Sequence, residues 1–144
     1  MCTSAGNEPA ALYPHRHSAV LGQPRSGGSA KRDIAVALLD ADDIALLAQV
    51  LQEFYIRATR ATRRDALPHD IAVGLMRTWL RYTVQEITLP VMIGALEIKA
   101  IYRLSYWDAA IIAAARALGC RELLSDDMSH GRDVEAIRIT DPFR

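Results

Sequence analysis

Apolar and polar positions fall into regular order from Lys31 onward and show none before it. Residues 1–30 carry Pro9, Pro14, Pro24 and several glycines among scattered serines, with a single short apolar cluster at Ala19-Val20-Leu21. Such a segment cannot bury enough surface to offset the entropy of ordering it, so it is expected to be mostly disordered. After it, Ile34, Leu38 and Leu39 repeat at helical spacing. Asp42-Asp43 reads as a turn, and Ile44 to Leu47 as a short apolar strand. A helix is expected from near Ala48 to about Thr62, with Val50, Leu51, Phe54 and Tyr55 on its apolar face. Pro68 opens another, because proline is tolerated in a first turn; its expected buried stripe is Ile71, Leu75, Met76, Trp79 and Leu80.

Farther on, Tyr82 to Ile87 suits a short strand, since Thr83-Val84 and Ile87 fit a pleated surface. Leu89 to Tyr102 is helical by periodicity through Val91, Ile93, Leu96 and Ile101. Ser105 begins a further helix that Gly119 closes. Leu123-Leu124-Ser125 is a strand that runs straight into two acids, and Val134 to Ile139 alternates apolar and charged residues as an edge strand does. Strands separated by helices imply parallel crossovers, hence an α/β sandwich.

The length of 144 residues suits one domain, divided here into a segment over 1–30 and a folded unit over 31–144. Seventeen basic residues balance seventeen acidic ones, which argues against a broad, non-specific nucleic-acid footprint but leaves room for a local basic surface beside an acidic site. Cys2 and Cys120 are far apart and lack metal-ligand spacing, so a reducing cytoplasm is the expected compartment. No secretory signal is visible in residues 1–30, and no apolar run reaches the ~20 residues needed to span a membrane. His15, His17, His69 and His130 share no spacing and receive no catalytic role; His130-Gly131 reads as a turn. Trp79, Tyr82, Tyr102 and Trp107 are expected in the core, because each fits an apolar periodicity.

In an open parallel sheet, ligands bind beyond the carboxyl ends of the strands, and several acids fall there. Asp126 and Asp127 follow one strand directly, Glu53 lies in the helix after Ile44 to Leu47, and Asp108 lies in the first turn after Ser105. Each has a structural alternative. Ser105-x-x-Asp108 has capping-box spacing, Asp126-Asp127 can form a turn by bonding its own backbone, and Glu53 can be a solvated helix residue. Arg57, Arg60 and Arg64, at i, i+3 and i+7, would share one helical face, either solvated or in contact with an RNA backbone or an acidic partner.

Taken together, these stretches resemble a known family. Residues 49–60 (QVLQEFYIRATR) resemble the second acidic motif of PIN domains. Residues 95–115 (ALEIKAIYRLSYWDAAIIAAA) resemble the third, with Asp108 in the acidic position, and residues 123–132 (LLSDDMSHGR) the fourth, with Ser125-x-Asp127 as its Ser/Thr-x-Asp. The ending IRITDPFR is similar to the family's last strand and tail. The resemblance is closest to toxin ribonucleases of the VapC type. It implies a PIN-like α/β/α sandwich with a parallel central sheet and an endoribonuclease dependent on Mg²⁺ or Mn²⁺. It also implies Glu53, Asp108 and Asp127 as catalytic metal ligands, Asp126 as a secondary ligand, and Ser125 as the support of the last acidic loop. The implied partners are an RNA substrate, a cognate antitoxin and a second copy of the chain.

One family feature is missing from the sequence. Members open with a buried strand ending in Asp-x-Asn or Asp-x-Ser, whose Asp is the first ligand; residues 1–30 hold only Glu8, with no apolar strand before it. The reading is therefore of a truncated or degenerate member whose first strand is lost or replaced, with His17 to Gly22, apolar at Ala19-Val20-Leu21 but short and without an acid, as the segment available to fill its slot. A replaced N-terminus or a misassigned start would give this pattern. The alternative to an active enzyme is a catalytically inactive relic that binds an antitoxin or RNA without cutting.

Overall fold

The computed structural model describes residues 19–20, 29–40 and 44–144. The Asp42-Asp43 turn, Cys2, Glu8, His15 and His17 lie outside the described residues. The elements in chain order are β1 (Ala19–Val20), α1 (Ser29–Leu39), β2 (Ala45–Leu47), α2 (Ala48–Ala58), α3 (His69–Trp79) and β3 (Thr83–Gln85). There follow α4 (Leu89–Tyr102), α5 (Tyr106–Ala117), β4 (Glu122–Ser125), β5 (Asp133–Val134) and β6 (Ile137–Thr140).

Four strands form one sheet in the order β1-β4-β6-β5, and β2 pairs with β3 in a second. Every pairing is parallel except β5 with β6, so the α/β class with parallel strands holds. β1 is the Ala19-Val20 segment that the sequence offered for the first-strand slot. It pairs in parallel with β4, Ala19 opposite Leu124 and Val20 opposite Ser125, and runs alongside β2. Two residues of backbone thus satisfy part of the edge that β4 would otherwise bury unpaired, each such group costing ~1–3 kcal/mol.

The core lies between the strands and the mutually packed helices α4 and α5. Its largest fully buried side chains include Leu46, Leu47, Ile98, Ile112, Leu123 and Ile139. Burying each of these contributes ~1.5–3 kcal/mol. Small residues let the helices approach: Ala95, Ala109, Ala110, Ala113 and Ala114 are all buried, and a Cβ at Gly94 would meet the end of the Arg116 side chain at 2.5 Å. Arg116 instead passes over Gly94 and pairs with Glu135 at 2.9 Å.

Several expectations need correction. α2 stops at Ala58, not near Thr62, because Thr59 turns its hydroxyl and its N–H onto the Tyr55 carbonyl, and the Leu67 N–H then bonds Ala58. Arg60 and Arg64 therefore lie beyond the helix and share no helical face with Arg57. In α3 the inward residues are Ala72, Met76 and Trp79, whereas Ile71, Leu75 and Leu80 are exposed. In α4 the buried stripe is Val91, Ala95 and Ile98; Ile93, Leu96 and Ile101 point to solvent. Trp107 is 58% exposed and does not belong to the core, while Trp79, Tyr82 and Tyr102 pack against it. Val134 to Ile139 is not one edge strand but a hairpin: Glu135 and Ala136 form a two-residue turn with φ of 53° and 61°. Positive φ at both central positions matches the right-handed twist of the flanking strands, so β6 becomes an interior strand and β5 the edge.

Candidate active site

Two hydroxyls shape the site. Ser105 precedes α5 as its N-cap, and its Oγ accepts from the Asp108 N–H at 3.1 Å. The serine half of the capping box is therefore present. Among the described residues the reciprocal bond, from the Ser105 N–H to the Asp108 carboxylate, is not made, so that carboxylate remains available. Ser125, the buried last residue of β4, acts in the same way: its Oγ accepts from the Asp127 N–H at 3.3 Å and fixes the turn after the strand. In both places the hydroxyl accepts from the aspartate's own backbone N–H and so fixes the turn that carries the acidic side chain.

The Asp108 and Asp127 carboxylates consequently line one cleft of about 80 Å³, together with Leu104, Met128, Arg132 and Ile139. That volume holds a few waters around a small ion, and is too small for a nucleobase. Neither carboxylate has a hydrogen-bond or ion-pair partner among the described residues. Asp126 lies between Ser125 and Asp127 but does not line the cleft.

Glu53 stands apart from this pair. It is on α2, does not line the cleft, and both its oxygens are engaged: Gln49 Nε2 donates to Oε1 at 3.1 Å, and Arg57 lies 3.8 Å from Oε2. Gln49 is only 9% exposed, and its own Oε1 is buried without a partner. Arg57 faces Glu53 along the helix, while Arg60 and Arg64 sit exposed in the following turns. Among the described residues no group of three or more histidine, cysteine or acidic side chains is close enough to hold a metal ion. The structure thus joins Asp108 with Asp127 and does not gather Glu53 with them.

The donor set still fits one kind of cation. Mg²⁺ is commonly held through one or two carboxylates while it keeps several waters. Two carboxylates without partners among the described residues, both lining a small, open cleft, meet that requirement; they do not form an enclosed cage.

Arg132 is the cleft residue that sequence reasoning passed over. It follows the His130-Gly131 turn directly, a turn whose His130 Nδ1 accepts from the Asp141 N–H at 2.9 Å. The signal that would have found it was its place at the end of the last acidic motif. Of the described histidines, His69 and His130, neither lines the cleft.

The PIN-domain family model matches residues 23–132 of this chain. No curated protein matches it as a relative. The matched span takes in Glu53, Asp108, Ser125, Asp127 and Arg132, and starts after β1. On that match, which covers the greater part of its length, the chain belongs to the PIN-domain family, a family with a nuclease-type fold.

Proposed function

We propose that this protein is a metal-dependent endoribonuclease of the toxin–antitoxin, VapC-like kind, acting in the cytoplasm. The observation that supports it is the pairing of Asp108 and Asp127, unpartnered, on one cleft beyond the end of β4. In this reading Asp108 and Asp127 hold Mg²⁺ or Mn²⁺, with Asp126 as a neighbouring acid. Glu53, kept in place by Gln49 and Arg57, contributes from α2 as the third acid. A bound divalent cation supplies a more acidic water and offsets charge on phosphoryl oxygens. The rest is done by the chain: Ser105 and Ser125 fix the two acidic turns, and Leu104, Met128 and Ile139 supply the apolar part of the cleft lining.

The partners in this reading are an RNA substrate, a cognate antitoxin and a second copy of the chain. Leu89, Ile93 and Leu96 are exposed along one face of α4, an apolar stripe of the kind a protein partner covers. Among the described residues no helix is long and apolar enough to cross a membrane. Arg57, Arg60 and Arg64 are assigned to RNA or partner contact as separate residues, not as a face.

A second reading is favoured by β1, whose Ala19 and Val20 bring no acid to the first-strand position. There the protein is a non-catalytic member that retains binding alone. Incubating purified protein with a panel of structured RNAs and Mn²⁺, beside the Asp108→Asn variant, separates the two. Cutting that requires the metal and disappears in the variant supports the enzyme. A folded protein that binds RNA but never cuts it supports the second reading.

A further inference from the structure

We infer that Arg132 is the phosphate-binding side chain of the Asp108–Asp127 cleft, taking a non-bridging oxygen pair of an RNA phosphodiester. This rests on the cleft being the RNA site, and extends that reading by naming the group that recognises the substrate backbone. Arg132 lines the same cleft as the two carboxylates and is half-buried there. Among the described residues its side chain makes one hydrogen bond, from Nη2 to the Tyr102 carbonyl at 2.9 Å. A guanidinium carries five N–H donors in a planar fork suited to phosphate oxygens, so most of its donors remain unused. Among the described residues it forms no ion pair, although two carboxylates share the cleft with it. The space between the acids and the guanidinium fits a ligand that presents cation-seeking and anion-seeking surfaces at once, as a phosphodiester beside a divalent cation does.

The backbone holds this position firmly. The Arg132 N–H donates to Ser129 at 3.3 Å, and its carbonyl accepts from the Ile139 N–H at 2.9 Å. Next to it, the Gly131 N–H donates to Ile139 at 2.7 Å, with Gly131 at a φ of 78° that a side chain would strain. The Tyr102 carbonyl that receives the guanidinium ends α4, just before Arg103 turns left-handed at φ 55°. The arginine is thus anchored at both its backbone and its guanidinium end beside the cleft.

The test measures binding of a short labelled single-stranded RNA without divalent metal, so that it does not depend on cleavage. Arg132→Gln, which keeps a donor for Tyr102, is expected to bind about tenfold more weakly, the loss that one charge-assisted hydrogen bond represents. The slope of log K against log salt should fall by about 0.7, the share of one phosphate contact on a single strand. Arg132→Lys keeps the charge without the fork and should fall between the two, while Arg63→Gln, in an exposed pair with Asp65, controls for net charge. Thermal unfolding of each variant identifies any loss of fold, and if Arg132→Gln unfolds, Arg132→Lys decides. Unchanged affinity and salt slope in a folded Arg132 variant would overturn the inference, as would equal loss in Arg63→Gln. Failure of the wild-type protein to cut RNA, with binding still dependent on Arg132, would instead count against the enzyme reading alone.

Discussion

The two acidic regions of this protein are built on opposite principles. Around β4 and α5, serine hydroxyls take the backbone N–H groups and leave the Asp108 and Asp127 carboxylates bare on one cleft. On α2, Glu53 is already bonded to Gln49 and faces Arg57. A carboxylate whose neighbours satisfy it is stable where it stands, and must exchange those partners to serve a ligand. A carboxylate without a partner among the described residues, on a turn that a serine holds in place, has none to give up. In the proposed reading that difference ranks Asp108 and Asp127 above Glu53.

Perturbing each region breaks or sharpens that contrast. The largest effect is expected from Asp108→Asn or Asp127→Asn, which should lower Mn²⁺-dependent RNA cleavage by at least ~100-fold, the scale of removing one preorganised electrostatic group. Melting temperatures near that of the wild type would assign the loss to chemistry. Glu53→Gln should cost less, ~10-fold, as removal of a supporting partner does. If steady-state rates show Glu53→Gln as damaging as Asp108→Asn, the ranking of the two regions fails.

Stability changes are smaller. Ser105→Ala removes the N-cap of α5 and should cost ~1 kcal/mol, read from the urea midpoint. Ala136→Gly should stabilise by ~1 kcal/mol, because only glycine holds the left-handed turn between β5 and β6 without strain. The least effect belongs to the exposed Arg63–Asp65 pair. There the Arg63 hydrogen bond, reinforced by a backbone bond and by charge, holds the Asp65 carboxyl below its usual range. A depressed carboxyl contributes stability above its unfolded pKa and loses it as pH falls through the folded one. Asp65→Asn should therefore lower the melting temperature slightly at neutral pH, the pair being fully exposed, and leave it unchanged in acid below the folded pKa, where the wild type has already lost the contribution.

Much of the fold was legible in the sequence because its signals are local. The bounds expected for α4 from its periodicity, Leu89 to Tyr102, are those observed, and Gly119, expected to close the next helix, follows α5 at a positive φ. Which face of α4 is buried was not legible. This helix is apolar nearly all round, so Leu89-Ile93-Leu96 and Val91-Ala95-Ile98 are both valid stripes, and only packing against α5 selects the second. In α3 the inward position goes to Ala72, too small to outweigh Ile71 and Leu75 in a pattern. The hairpin at Glu135-Ala136 was hidden because neither residue advertises a left-handed turn. Within the site, Asp108, Asp127 and Ser125 stood out by motif, whereas Arg132 did not, since its role depends on the Tyr102 carbonyl 30 positions away. The separation of Glu53 from the cleft is likewise a tertiary fact that motif order cannot carry.

The most direct test of the ranking is calorimetric titration of Mn²⁺ into the intact protein and its variants, without RNA. Binding that is lost in Asp108→Asn and Asp127→Asn, and kept within a few fold in Glu53→Gln, is the result the account predicts. Equal binding in all four proteins, or a loss in Glu53→Gln as complete as in Asp108→Asn, would contradict it.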